Sequence, residues 1–73
     1  MVPPIRFGIT WGMHPDRPSP PEVVFSTAEA VEALGFDSLW IGDHIAFHGG
    51  HFTESLTTLA AFAARTSRLT IGT

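Results

Sequence analysis

Asp43 and His44 stand side by side in the stretch WIGDHIAFHGGH, Trp40 to His51, with His48 and His51 close behind them. An imidazole titrates near neutral pH, so it can take or give a proton, and a neighbouring carboxylate can orient it and raise its basicity. Adjacent residues point different ways, so Asp43 serves equally well as a ligand for backbone or cofactor, or as a cap for a turn. His44, His48 and His51 would share one face of a helix and could then ligate zinc or another divalent ion. That helix would have to run through Gly49-Gly50, which disfavours it. Ile45 also stands where the zincin motif requires Glu. No metal is expected on these grounds, and His48 and His51 read as residues of a solvated loop to which the glycine pair gives room near a ligand. His14, among prolines, reads as an exposed loop residue. Nucleophilic catalysis has no support: the chain has no cysteine, no G-x-S-x-G elbow and no phosphate-binding G-x-x-x-x-G-K.

The elements that must position these groups can be read from the pattern of residues. Ile5 to Thr10 (IRFGIT) is a short β-branched run and predicts a strand, with Phe7, Ile9 and Trp11 on one face and Gly8 and Thr10 on the other. The prolines between Gly12 and Pro21 predict a loop. Ser19-Pro20-Pro21-Glu22 has the capping-box spacing, with Ser19 at the N-cap and Pro20 at the first helical position. Val24, Ala28, Val31 and Leu34 recur at helical spacing, with Glu29 and Glu32 toward water. Gly35 supplies the left-handed residue that ends the helix, and Phe36 folds back on its last turn. Ser38 to Gly42 (SLWIG) predicts a second strand, apolar on both faces. Asp43 to Phe52 reads as a loop and Thr53 as the N-cap of a second helix, whose apolar stripe is Leu56, Leu59, Ala60 and Ala63. Arg65 suits the dipole at its end. Arg68 to Gly72 predicts a third strand.

The order is β-α-β-α-β, with about thirty residues from strand to strand, the spacing of a βα crossover. Such crossovers are right-handed and give parallel strands. A Rossmann-type half-sheet would need a glycine-rich turn straight after the first strand, and WGMHPDRPSPP stands there instead. In parallel βα architectures function gathers at the carboxyl ends of the strands. This selects Thr10, Trp11 and Gly12, then Asp43 and His44, then Gly72 and Thr73. Trp11 and Trp40 read first as core residues, and Trp11, at a strand end, is the better candidate for a pocket wall.

Composition agrees with a folded chain that more protein covers. The 73 residues are 44% hydrophobic and 15% charged, with four Lys and Arg together. A free-standing domain of this size normally carries more charge. Without cysteine it has no disulfide to compensate for a small core. The net charge of −3 and the lack of a basic stripe exclude a nucleic-acid partner. No apolar run is long enough to span a membrane, and MVPPIRFG lacks the features of a secretory signal. A cytoplasmic protein is expected.

The run AEALGFDSLWIGDHI, followed by ESLTTLAAFAARTSRLTIGT and preceded by the RFGIT strand, resembles the luciferase-like flavin monooxygenases, especially the branch that uses the deazaflavin coenzyme F420. The resemblance extends from Ile5 to Thr73. It implies a TIM barrel, of which residues 1–73 would be the N-terminal βαβαβ portion without internal boundary; such a barrel needs roughly 200 residues or more. It implies an oxidoreductase that binds F420, or alternatively FMN, and transfers a hydride or activates oxygen on a small organic substrate, as a homo-oligomer in its full length. It places His44 by the reactive ring as acid or base, has Asp43 position cofactor or substrate, and assigns Gly72 and Thr73 to the cofactor bed. Thr10, Trp11 and His48 are the candidates for the substrate pocket. The fragment alone is expected to be inactive. Two other readings stay open beside it: a small histidine-based metal-binding module, and a non-catalytic assembly piece.

Overall fold

A computed structural model of the chain describes residues 3–12, 19–42 and 54–73. Three strands and two helices alternate: β1 (Gly8–Trp11), α1 (Pro21–Ala33), β2 (Ser38–Ile41), α2 (Ser55–Ala64) and β3 (Thr70–Gly72). The strands form one parallel sheet in the order β1-β2-β3. Gly8 pairs with Ser38 and Ser38 with Thr70; two residues on, Thr10 pairs with Trp40 and Trp40 with Gly72. Both helices cover the same face of this sheet and pack on each other. That arrangement follows when every crossover has the same hand.

The expected β-α-β-α-β order and parallel pairing are both present, and the α/β class with them. The boundaries differ in ways that have causes. β1 starts at Gly8, not Ile5, because β2 starts opposite it. Before Gly8 the chain faces the turn that ends α1, and only Phe7 is still tied in: its carbonyl accepts from the Asp37 amide at 2.8 Å, and its amide donates to Asp37 Oδ2 at 2.8 Å. β3 starts at Thr70, not Arg68. The amides of Ser67, Arg68 and Leu69 are taken by the Glu32 carboxylate at 2.8–3.2 Å and cannot join a ladder.

In α1 the N-cap is Pro20, with Pro21 inside the first turn and no side-chain cap bond, so the Ser19–Glu22 capping box does not form. Moving the start by one residue takes Glu22 out of the position from which it could reach back. Val24, Ala28 and Val31 are buried as expected, whereas Leu34 is 76% exposed. Leu34 is the C-cap residue, where the helix has already begun to unwind. Gly35 has φ of +89°, with its amide bonded to the Glu32 carbonyl and the Phe36 amide to the Val31 carbonyl. This pair of bonds is the Schellman arrangement.

α2 is capped by Glu54, whose carboxylate accepts from the amides of Leu56 at 3.2 Å and Thr57 at 2.7 Å. The expected cap, Thr53, lies outside the described residues. The inward stripe is Ser55, Thr58 and Phe62, with Leu59 and Ala61 partly buried; Leu56, Ala60 and Ala63 face outward. Phe62 sets this rotation. Fully buried, it meets Trp11 edge-on at 5.8 Å between ring centroids. Burying a side chain of that size is worth about 1.5–3 kcal/mol. Thr58 can face inward because its hydroxyl donates to the Glu54 carbonyl at 2.7 Å.

The core is therefore Val24, Ala28, Val31, Leu39, Phe62 and Leu69, with Trp11, Phe36, Leu59 and Ile71 packed against it. All of it lies between the sheet and the two helices.

Candidate functional site

Because the strands are parallel, Trp11, Ile41 and Gly72 bring all three carboxyl ends to one edge of the sheet. Gly12 and Gly42 follow directly and are exposed. Gly42 is the last described residue before Asp43. Asp43, His44 and His48 themselves lie outside the described residues, as do His14 and His51. Among the described residues there is no cluster of metal-ligating side chains.

The structure separates the remaining candidates. Thr10 and Gly72 are on the face away from the helices, flanking Trp40. Thr73 is exposed just beyond β3. Trp11 is turned to the helix layer against Phe62, as the two-residue alternation of β1 requires. It thus shares a strand end with Thr10 but not a face.

The open face has a residue that pattern reading assigned to the core. Leu39 and Ile41 occupy the helix side of β2, so Trp40 is on the other side and is 42% exposed. Its Nε1–H donates to Ser38 Oγ at 2.9 Å. The indole crosses both neighbouring strands where these have no side chain. A Cβ on Gly72 would stand 2.5 Å from Cζ3 of Trp40, and one on Gly8 would stand 3.1 Å from Nε1 and collide with Ser38 Oγ. The signal was present in the sequence: alternation puts Trp40, Thr10, Gly8 and Gly72 on one face once Leu39 is placed in the core.

Toward the strand starts the same face is polar. Arg6, Asp37, Ser38, Arg68 and Thr70 line, with Trp40, an open cavity of about 530 Å³. Arg68 is not free in it: its guanidinium donates to the carbonyls of Glu32 at 3.0 Å and Phe36 at 3.1 Å. Among the described residues, the two carboxylates with displaced titration hold structure together. Glu32 lies below the usual range chiefly because the Arg68 amide, then the Leu69 and Ser67 amides, donate to it. Glu54 is lowered first by the Thr57 hydroxyl and then by the amides of Thr57 and Leu56.

Glycine leaves backbone open to close approach. At Gly12 a Cβ would meet nothing within 4 Å among the described residues.

Comparison with known proteins accords with this geometry. The family model described as luciferase-like monooxygenase matches residues 6–73. An F420-dependent glucose-6-phosphate dehydrogenase of Nakamurella multipartita is 42% identical over 74 residues, which are 97% of this chain and 21% of that protein. Proteins of the same name from Intrasporangium calvum and Microbacterium testaceum are 38% and 36% identical, over 89% and 100% of this chain and 20% and 22% of theirs. The chain thus spans about one fifth of the length of the curated relatives it matches. No solved structure matches it.

Proposed function

The chain belongs to the luciferase-like monooxygenase family, and on that premise we propose that it is the N-terminal part of an F420-dependent oxidoreductase built as a TIM barrel. The observation that carries the reading is the alignment of three parallel strand ends at one glycine-lined edge, with Asp43 and His44 next in sequence after β2. The names of the relatives support F420 over FMN. When bound, a deazaflavin supplies the hydride chemistry, and the protein's part is to hold and orient it.

In this reading His44 moves the proton that accompanies hydride transfer, and Asp43 holds the imidazole, the cofactor or the substrate in place. Gly72 and Thr73 form part of the cofactor bed. Thr10 and His48 border the substrate. Trp11, committed to the helix layer by Phe62, acts on the site only through the position of β1. The relatives' names make glucose 6-phosphate the first substrate to try.

The test uses the complete polypeptide that carries these residues. Titration with F420 and with FMN should show tight binding of F420 alone. His44→Ala should keep the fold and the cofactor affinity but lose about 100-fold or more in turnover, the contribution of a general acid or base. Undiminished turnover would remove His44 from its role; preference for FMN would change the cofactor.

A further inference from the structure

We infer that the polar cavity at the strand starts is a seat for an acidic side chain: a carboxylate from the part of the complete polypeptide outside these 73 residues enters it and pairs with Arg6. The inference rests on the proposed function only in that the bare face of the sheet becomes the interior of a barrel.

Charge in this cavity is unbalanced. Its walls bring two guanidiniums, of Arg6 and Arg68, and one carboxylate, of Asp37. Arg68 and Asp37 are already committed. Nη2 of Arg68 donates to the carbonyls of Glu32 at 3.0 Å and Phe36 at 3.1 Å. Oδ2 of Asp37 accepts from the Phe7 amide at 2.8 Å, while the Asp37 amide and carbonyl bond to Phe7 and Thr70. Arg6 shares the cavity with Asp37 but forms no ion pair with it, nor a hydrogen bond with any described residue.

The chain offers no other described acid to restore the balance. It has seven Asp and Glu. Glu22, Glu29, Glu32 and Glu54 belong to the two helices or cap them, across the sheet from the bare face. Of these, Glu29 pairs with Arg65, and the Glu32 and Glu54 carboxylates hold backbone amides. Asp16 and Asp43 lie outside the described residues and follow β1 and β2 in sequence, whereas Arg6 precedes β1.

On an open sheet water solvates Arg6. A barrel interior is instead filled by layers of side chains. A guanidinium enclosed there without a counter-charge is costly, and buried charges are therefore paired. The planar fork of Arg matches a carboxylate through two parallel bonds. Ser38 Oγ accepts from Trp40 Nε1 at 2.9 Å, so its own hydrogen can go to a further lone pair of that carboxylate.

The rival partners for Arg6 are Asp37, a free anion and water. The experiment is equilibrium unfolding of the complete polypeptide, with and without added inorganic phosphate. At pH about 7, Arg6→Gln should lower the folding equilibrium constant about 100-fold or more, the loss on leaving a buried charge unpaired. Arg6→Lys, which keeps the charge but not the fork, should lose less. The Arg6→Gln loss should be as large in an Asp37→Asn background and indifferent to phosphate. It should narrow as pH falls, because a carboxylate deprived of its cation takes up a proton in the folded state. A loss that vanishes with Asp37→Asn gives Arg6 to Asp37; one that appears only with phosphate gives it to a free anion; no loss gives it to water. Each of these overturns the seat. F420 binding by the parent is measured alongside. A parent that binds F420 while Arg6→Gln loses nothing leaves the F420 reading standing without the seat, and a parent that binds none overturns that reading and the seat with it. Should Arg6→Gln fail to fold, Arg6→Lys decides, and a deficit that does not narrow with falling pH would overturn the proposal.

Discussion

Glu32 joins two parts of the chain that are far apart in sequence. From the last turn of α1 its carboxylate accepts from the amides of Ser67, Arg68 and Leu69, while Arg68 returns a guanidinium bond to the Glu32 carbonyl. Bonds to an ionised acceptor are about twice as strong as neutral ones. These bonds fix the entry to β3 and hence the place of Gly72 under Trp40. Because the folded-state pKa of Glu32 is lowered, its contribution is complete above the unfolded value of about 4.3 and is lost as pH falls through the folded one. Glu32→Gln should therefore lower the melting temperature of the complete polypeptide at pH about 7, and the gap from the parent should close as the pH is taken below about 4. A gap that stays constant with pH would show that the charge contributes nothing. No spacing rule discloses such a contact. Helical periodicity sends Glu32 to water, as it does Glu29, and only the folded chain shows that the loop before β3 is within reach. Trp40 is the contrary case, since the alternation that places Leu39 and Ile41 inward also places the indole outward. The residues expected to carry chemistry, Asp43 and His44, are legible from composition and from their position after a strand, not from any contact made by the described residues.

At the scale of elements, kind and order follow from sequence and boundaries do not. Each helix end depends on a local competition that pattern alone leaves undecided. Pro20 and Pro21 both suit the start of α1, and the chain takes Pro20 as cap. Glu54 outdoes pattern expectations at the start of α2 by bonding two amides at once. The rotation of α2 goes with one large side chain, Phe62, turned inward, while the smaller apolar Leu56, Ala60 and Ala63 face outward. On its outer side Arg65 lies 4.4 Å over the Phe25 ring and 3.7 Å from Glu29, a half-exposed pair of small energetic weight. The end of α1 was the clearest signal of all, because only glycine takes a φ of +89° without a steric cost. Gly35→Ala meets no neighbour, so its effect is purely conformational. It should destabilise the complete polypeptide by about 1–2 kcal/mol in denaturant unfolding, with no change in F420 affinity. A neutral substitution would mean that the turn can relax to another conformation, and that the Phe36 contact alone ends the helix.

The described residues form two layers, with both helices on one face of the sheet and no described element on the other. β1 and β3 are both outer strands. Trp40 on the bare side is 42% exposed, and Ile5 and Phe7 just before β1 are 78% and 64% exposed. Unpaired parallel edges next to exposed apolar side chains are a template for association. In a closed barrel the same edges would be paired, and the open face would become the interior. The 73-residue chain by itself should therefore elute from size exclusion as concentration-dependent aggregates and melt without a cooperative transition. Supplied together with the remainder of the complete polypeptide, expressed as a separate chain, it should be recovered in a one-to-one complex that binds F420. A monomeric 73-residue chain with a cooperative melt would contradict this, because it would show that the open face needs no cover. That result would weigh against the barrel itself, whereas an associated chain that the remainder rescues is what a sheet with one face and two edges uncovered among the described residues demands.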